Sequence, residues 1–311
     1  MSKVTVVGAG GNVGSTCANE IARMDIVNEV VMVDINPGNA KGRALDIWQQ
    51  AGVNNFSTRT LGTDDYSLTA NSDIVVITAG LPRKPGMSRD DLISTNAKIV
   101  SSVVENILKY SPDPIIIIVS NPLDVMTYAA FKKSGLKASR VMGMAGILDT
   151  ARYRSFLAEA IGTSPKDIQA ILMGGHGDTM VPLPRYTTVA GIPVTELLDA
   201  DKLNAIIERT KVGGGELVNL MGTSAWYAPG SSAAQMVQSI VRNENRIFPC
   251  CVYLDGEYGI NDLCVGVPVV LGKNGVERVI ELQLNEEEKA GLETSAKAVR
   301  EVVDAYKALG L

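Results

Sequence analysis

Val4-Thr5-Val6-Val7-Gly8-Ala9-Gly10-Gly11-Asn12-Val13-Gly14 runs a short β-branched stretch into a glycine-rich turn and then into a helical pattern. A continuous β-branched run suits a strand buried on both faces of a parallel sheet. Such a turn lets the backbone approach a pyrophosphate, which then rests on the unpaired N–H groups at the helix start. The spacing departs from G-x-G-x-x-G, whose last glycine would fall on Val13; the pattern is instead G-x-x-G-x-x-G, through Gly8, Gly11 and Gly14. The loop therefore reads as one residue longer than the commonest form, and which amides would face a phosphate stays open. Glycines alone also describe a tight turn with no ligand. A second element narrows the reading: Val30–Val33 is a strand pattern ending in Asp34, 20 residues beyond Gly14. A carboxylate there accepts hydrogen bonds from the adenosine ribose and repels a 2′-phosphate, which favours NAD over NADP.

Outward from this unit, Ile74–Thr78 and Ile115–Val119 are further β-branched runs, with helical spacing over Gly14–Met24, Ala40–Gln50 and Leu92–Tyr110. Alternating strand and helix implies an α/β fold, a Rossmann-type doubly wound parallel sheet over residues 1–146. Residues 147–311 are patterned differently and imply an α+β catalytic domain. Thr150–Ile161 reads as a helix, Ile168–Met173 as a strand, and Asp199–Met221 and Ser231–Asn243 as long helices. Val252–Leu254, Val265–Leu271 and Val276–Leu282 read as antiparallel strands, closed by a helix over Asn285–Leu309. Glu286, Glu287 and Glu288 open that helix, where its dipole favours negative charge.

The whole chain bounds the function. Its 311 residues exceed one small core, and 46% hydrophobic with 20% charged residues suits a soluble globular protein. A net charge of −5 with no basic stripe argues against a nucleic-acid surface. Cys17, Cys250, Cys251 and Cys264 show neither C-x-x-C spacing nor a regular framework, so reduced, intracellular thiols and no metal site are expected. Met1-Ser2-Lys3 leads directly into a strand, and no apolar run is long enough to span a bilayer; a cytoplasmic protein without membrane contact is expected.

His176, the only histidine, sits in Gly174-Gly175-His176-Gly177-Asp178. It is the side chain whose unperturbed pKa lets it exchange a proton near neutrality, although a half-buried loop histidine fits the five residues equally well. Three clusters could stand beside it. Leu81–Arg89, with Arg83 and Arg89, and Ser120-Asn121-Pro122 both follow parallel strands, where ligands bind. Asp149 and Arg152 lie one turn apart at the start of a helix. Singly, Asp149 could be a helix cap and the arginines a solvated surface.

In order and approximate spacing, Gly8–Gly14, Asp34, Leu81–Arg89, Ser120–Pro122, Leu148–Arg152 and Gly174–Asp178 resemble the lactate/malate dehydrogenase superfamily over essentially the whole chain. Within it, the resemblance is closest to the lactate-dehydrogenase-like malate group. The resemblance implies His176 as proton donor and acceptor and Asp149 as its orienting carboxylate. It implies Arg152 on the substrate's C1 carboxylate, Arg89 on the reacting carbonyl and Asn121 in contact with substrate. For the NAD cofactor it implies Gly8, Gly10, Gly11, Asn12, Val13, Gly14, Asp34 and Asn96, with the backbone at Val119, Ser120 and Asn121 near the nicotinamide. It also implies a homodimer or homotetramer.

Arg83 would choose the substrate. Lactate enzymes carry a neutral glutamine at the matching position, whereas an arginine can pair with a second carboxylate and so implies malate and oxaloacetate. Pyruvate would leave that cation unpaired, at a cost of ~3–5 kcal/mol by analogy with one side of a buried ion pair. Three rivals remain at this point: another 2-hydroxy-acid dehydrogenase, a non-catalytic NAD sensor, and a structural subunit whose glycine loop is only a turn.

Overall fold

The computed structural model describes residues 2–81 and 88–310. Six parallel strands, β1 (Lys3–Val7), β2 (Glu29–Val33), β3 (Arg59–Thr63), β4 (Ile74–Ile77), β5 (Ile115–Ile118) and β6 (Val141–Gly143), lie in the order 3-2-1-4-5-6. This is the doubly wound order, and it places the mouth of a ligand crevice between β1 and β4, where the winding reverses. The central strands β4 and β5 are Ile-Val-Val-Ile and Ile-Ile-Ile-Ile, buried at every residue, as strands covered by helices on both faces must be.

The three longest antiparallel strands of the second half do not form a separate sheet. Arg246–Asp255 pairs with β6, placing Cys251 opposite Gly143 and Val252 opposite Met142, and Asn261–Gly272 and Gly275–Val279 continue the same sheet to nine strands. Helix Asn12–Met24 of the first half packs on Tyr227–Val241 of the second. At this crossing a Cβ on Gly230 would lie 2.7 Å from the Thr16 Cβ, so the two backbones approach as only glycine permits. One apolar core runs from Val4 to Tyr306 through both halves, and a smaller one gathers Tyr153, Leu157, Ile168 and Leu172.

One expected element is corrected. Ile168–Met173 is not one strand: Ile168–Gln169 pairs with Thr188–Val189, while Leu172–Met173 pairs with Val181–Pro182. Ala170 and Ile171 turn the chain between two sheets, and the Ile171 carbonyl accepts from the Leu183 amide at 3.2 Å. Helices Leu123–Ser134 and Gly146–Ile161 start just beyond the carboxyl ends of β5 and β6, on the ligand side of the sheet. Among the described residues no helix is long and apolar enough to cross a membrane.

Candidate active site

The glycine loop is shaped by what would collide with a side chain. A Cβ on Gly14 would lie 2.6 Å from the Gly8 carbonyl oxygen, and one on Gly10 would lie 2.7 Å from the Asp34 Cγ. The second closeness is functional: the Gly10 amide donates to Asp34 Oδ2 at 2.9 Å, and Asn36 donates to Oδ1 at 3.0 Å. Asp34 is thereby fixed at the rim of a cleft of about 380 Å³ lined by Gly8, Gly11, Ile35, Ala79 and Leu81.

Gly11 caps helix Asn12–Met24 without a side-chain hydrogen bond. The amides of Asn12, Val13 and Gly14 therefore lack intrahelical acceptors and suit an anion. Arg43, which the sequence reading passed over, donates to Ser15 Oγ at 2.6 Å and to Asn12 Oδ1 at 3.0 Å, bringing a cation to the same helix start. A cleft with an acidic rim, a basic flank and open helix amides fits a dinucleotide.

Across β4 and β5, a second cavity of about 480 Å³ is lined by Val13, Val119, Asn121, Asp149, Arg152 and His176, among others. Helix Gly146–Ile161 starts early enough to put Asp149 inside its first turn rather than at its cap. Asp149 is only 2% exposed, with Oδ2 2.8 Å from His176 Nδ1 and Oδ1 3.2 Å from an Arg152 terminal nitrogen. The ring and the guanidinium are each 15% exposed, so both reach the cavity while sharing one buried carboxylate. The Arg152 Nε is buried with no partner among the described residues.

Burial works against charging the ring. The Asp149 charge and hydrogen bond, with the charge of Asp124, outweigh it and raise the His176 pKa above the usual histidine value, despite the opposing charge of Arg152. The partner at Nδ1 leaves Nε2 as the nitrogen free to exchange a proton with a ligand.

The loop bearing His176 is held from behind by residues that the sequence reading did not single out. The Gly175 amide donates to Ser295 Oγ, and the His176 amide to Asp124 Oδ2, both at 2.8 Å. Gly174 bridges Gly266 through a pair of backbone bonds of 2.8 and 3.1 Å. Gly214 and Gly215, in helix Ala200–Met221, and Ala225 line the cavity wall. A glycine triplet inside a helical pattern was the available signal for that wall.

The remaining expected residues fall around these two cavities. Asn96 is buried, and its amide is taken up locally: Nδ2 donates to the Asn121 carbonyl at 2.7 Å and to that of Leu81 at 3.1 Å, while Oδ1 accepts from the Leu81 amide at 2.8 Å. It acts as a clasp between the ends of β4 and β5. Ser120 Oγ donates to the Ala79 carbonyl at 2.6 Å, tying the same two strand ends. Arg83 and the side chain of Arg89 lie outside the described residues; the Arg89 backbone opens helix Arg89–Tyr110.

Comparison with known proteins gives one consistent result. Residues 2–143 match the family described as lactate/malate dehydrogenase, NAD binding domain, and residues 147–309 match lactate/malate dehydrogenase, alpha/beta C-terminal domain. The chain is 68% identical over 308 residues to a malate dehydrogenase of Cytophaga hutchinsonii, covering 99% of this chain and 98% of that one. The solved structure of malate dehydrogenase from Salinibacter ruber superposes with a TM-score of 0.95 at 55% identity, covering 99% of this chain and 98% of that one. A Cryptosporidium parvum lactate dehydrogenase, complexed with lactic acid and nicotinamide adenine dinucleotide, superposes with a TM-score of 0.94 at 34% identity, covering 98% of each.

Proposed function

The chain belongs to the lactate/malate dehydrogenase family, and from that premise we propose that it interconverts malate and oxaloacetate with NAD. The observation that carries this is the buried Asp149 carboxylate shared by His176 and Arg152 at the cavity wall. Such a unit supplies a proton carrier and a carboxylate clamp side by side. A rigid two-pronged guanidinium is the group best matched to a carboxylate. The choice of malate over lactate rests on Arg83, which offers a second cation to a dicarboxylate.

Gly8, Gly11, Gly14 and Asp34 would hold NAD, which would supply a hydride donor in its reduced form and a hydride acceptor in its oxidised form for the substrate C2. The protein's part is to hold and protonate. Arg152 takes the C1 carboxylate and Arg83 the distal one, while Arg89 polarises the carbonyl and Asn121 contacts substrate. In the reducing direction protonated His176 gives its Nε2 proton to the developing alkoxide. Asp149 keeps the ring oriented and favours its charged form. Malate oxidation needs the ring neutral, so its rate rises with pH through a His176 pKa that stands above the ordinary value.

We assign residues 1–146 to cofactor binding and 147–311 to substrate binding and catalysis, in a cytoplasmic enzyme of the tricarboxylic acid cycle. Exposed Leu45, Val53, Val212, Leu220, Met221 and Tyr227 support assembly into a homodimer or homotetramer. Two measurements test the reading. His176→Asn abolishes turnover while leaving NADH binding nearly intact, and substantial residual activity would remove His176 as the proton carrier. Arg83→Gln shifts the ratio of oxaloacetate to pyruvate efficiency by orders of magnitude; an unchanged ratio means that the distal carboxylate is read elsewhere.

A further inference from the structure

We propose that Asp124 is a second carboxylate of the proton-transfer unit, a positioning residue that fixes the backbone of His176 and adds its negative charge behind the ring. The inference rests on the proton-carrying role proposed for His176. Three features of the geometry carry it. Asp124 Oδ2 accepts the His176 backbone amide at 2.8 Å, so it holds the residue itself rather than a neighbour. Asp124 is only 9% exposed, and beyond the His176 amide it meets only the weak donor of the Cys251 thiol, so Oδ1 has no strong hydrogen-bond partner among the described residues. It also stands at the start of helix Leu123–Ser134, directly after Asn121-Pro122, so one turn of chain joins a substrate-contacting residue to the one that holds the proton carrier.

The surroundings explain how such a carboxylate acts. From helix Gly146–Ile161, Asp149 and Arg152 face the ring. Cys251, on strand Arg246–Asp255, faces Asp124, with Cys264 of the next strand beside Cys251. Asp178 and Lys211 line the same cavity farther out. Among the described residues no lysine or arginine pairs with Asp124, so the cation nearest in function is the protonated His176 ring. Burial raises the Asp124 pKa, while the His176 amide and the ring's charge pull it back. Each charge therefore favours the other. When His176 loses its proton, Asp124 loses the charge that helps it stay ionised, so the two groups hold their charges together.

Asp124→Asn tests this, because asparagine keeps an oxygen for the His176 amide and removes the charge, its NH2 taking the place of the unpartnered Oδ1. His176 is the sole histidine, so its ring gives one histidine signal in an NMR pH titration of the free protein. The expected result is a His176 pKa lower by at least about 0.5 unit. The limbs of the pH profiles for malate oxidation and oxaloacetate reduction should both move to lower pH by the same amount. A residue that merely supports the fold would lower the melting temperature or kcat and leave these limbs in place. An unmoved ring titration in a folded Asp124→Asn protein overturns the proposal. Should that variant not fold, Asp124→Ser removes the same charge and is read the same way. The titration needs no substrate, so an absence of malate turnover would count against the proposed reaction and leave the role of Asp124 to the NMR result.

Discussion

Asp149→Asn puts the greatest weight on the geometry around His176. Asparagine matches aspartate in shape, so packing around a residue 2% exposed is retained, while the charge is lost and one of the two accepting oxygens becomes an NH2 facing a donor. In the reactive state that charge serves two cations at once, with the ring at 2.8 Å and the guanidinium at 3.2 Å. Removing one side of a buried, hydrogen-bonded charge pair costs about 3–5 kcal/mol. At 1.36 kcal/mol per factor of ten, that corresponds to roughly a 10²- to 10⁴-fold loss in kcat/KM. Arg152 loses a competitor for its positive charge, so the KM for oxaloacetate should stay close to that of the parent and the loss should fall on kcat. With NADH affinity unchanged, the reaction equilibrium fixes the ratio of the two directions at each pH, and malate oxidation must fall by the same factor. The assay is NADH absorbance in both directions between pH 6 and 9, with a fluorescence titration of NADH binding. A loss smaller than tenfold, or one borne by KM alone, would refute the idea that Asp149 acts by stabilising the imidazolium.

Two further outcomes follow from local geometry. Gly10→Ala places a methyl against the Asp34 carboxylate and breaks a 2.9 Å bond to it, so NADH binding should weaken by about 10- to 100-fold with kcat at saturating NADH little changed; a change below threefold in a fluorescence titration would show that Asp34 need not sit there. Asp262 gathers Lys132 at 2.8 Å, Lys307 at 2.9 Å and the Tyr128 hydroxyl at 3.0 Å, joining two helices to the antiparallel strands. Burial opposes its ionisation, but the hydrogen bonds from Lys132, Lys307 and Tyr128 hold its carboxyl well below the usual range. A lowered pKa gives stability that is present above the unfolded value near pH 4 and lost as the pH falls toward the folded one. Asp262→Ala should therefore cost about 1 kcal/mol in urea denaturation at pH 7, a discounted figure because the side chain is 41% exposed. The difference should shrink steadily below about pH 4; a difference constant with pH would mean that packing, not charge, is lost.

The parts of this fold that were legible in the sequence are those where burial on both faces leaves a run of one character. The Val4–Val7 strand, its glycines and Asp34 read directly. β3, Arg59-Thr60-Leu61-Gly62-Thr63, escaped notice because an edge strand carries polar residues and looks like a loop. β6 is only three residues long. Helix Leu123–Ser134 was invisible for the opposite reason: Leu123 through Ala130 are all buried, so no polar face marks a helical period. The site divides in the same way. Histidine, aspartate and arginine at turns and helix starts carry their chemistry openly. Asp124, Ser295 and Arg43 act through bonds to residues 52, 120 and 28 to 31 positions away, and such pairing exists only once the sheet has assembled.

The splice between β6 and Arg246–Asp255 has a consequence for how this protein can be divided and how it can change. A fragment ending near residue 146 would leave Val141–Gly143 as a raw sheet edge, its partner gone, and would strip Tyr227–Val241 from helix Asn12–Met24. Such an edge invites pairing with other chains, and such a bare helix face invites association. The nucleotide-binding half is therefore not a detachable cassette in this chain. New substrate chemistry can be explored in the loops and at the cavity wall, but a strand more than 100 positions downstream has to be inherited with it.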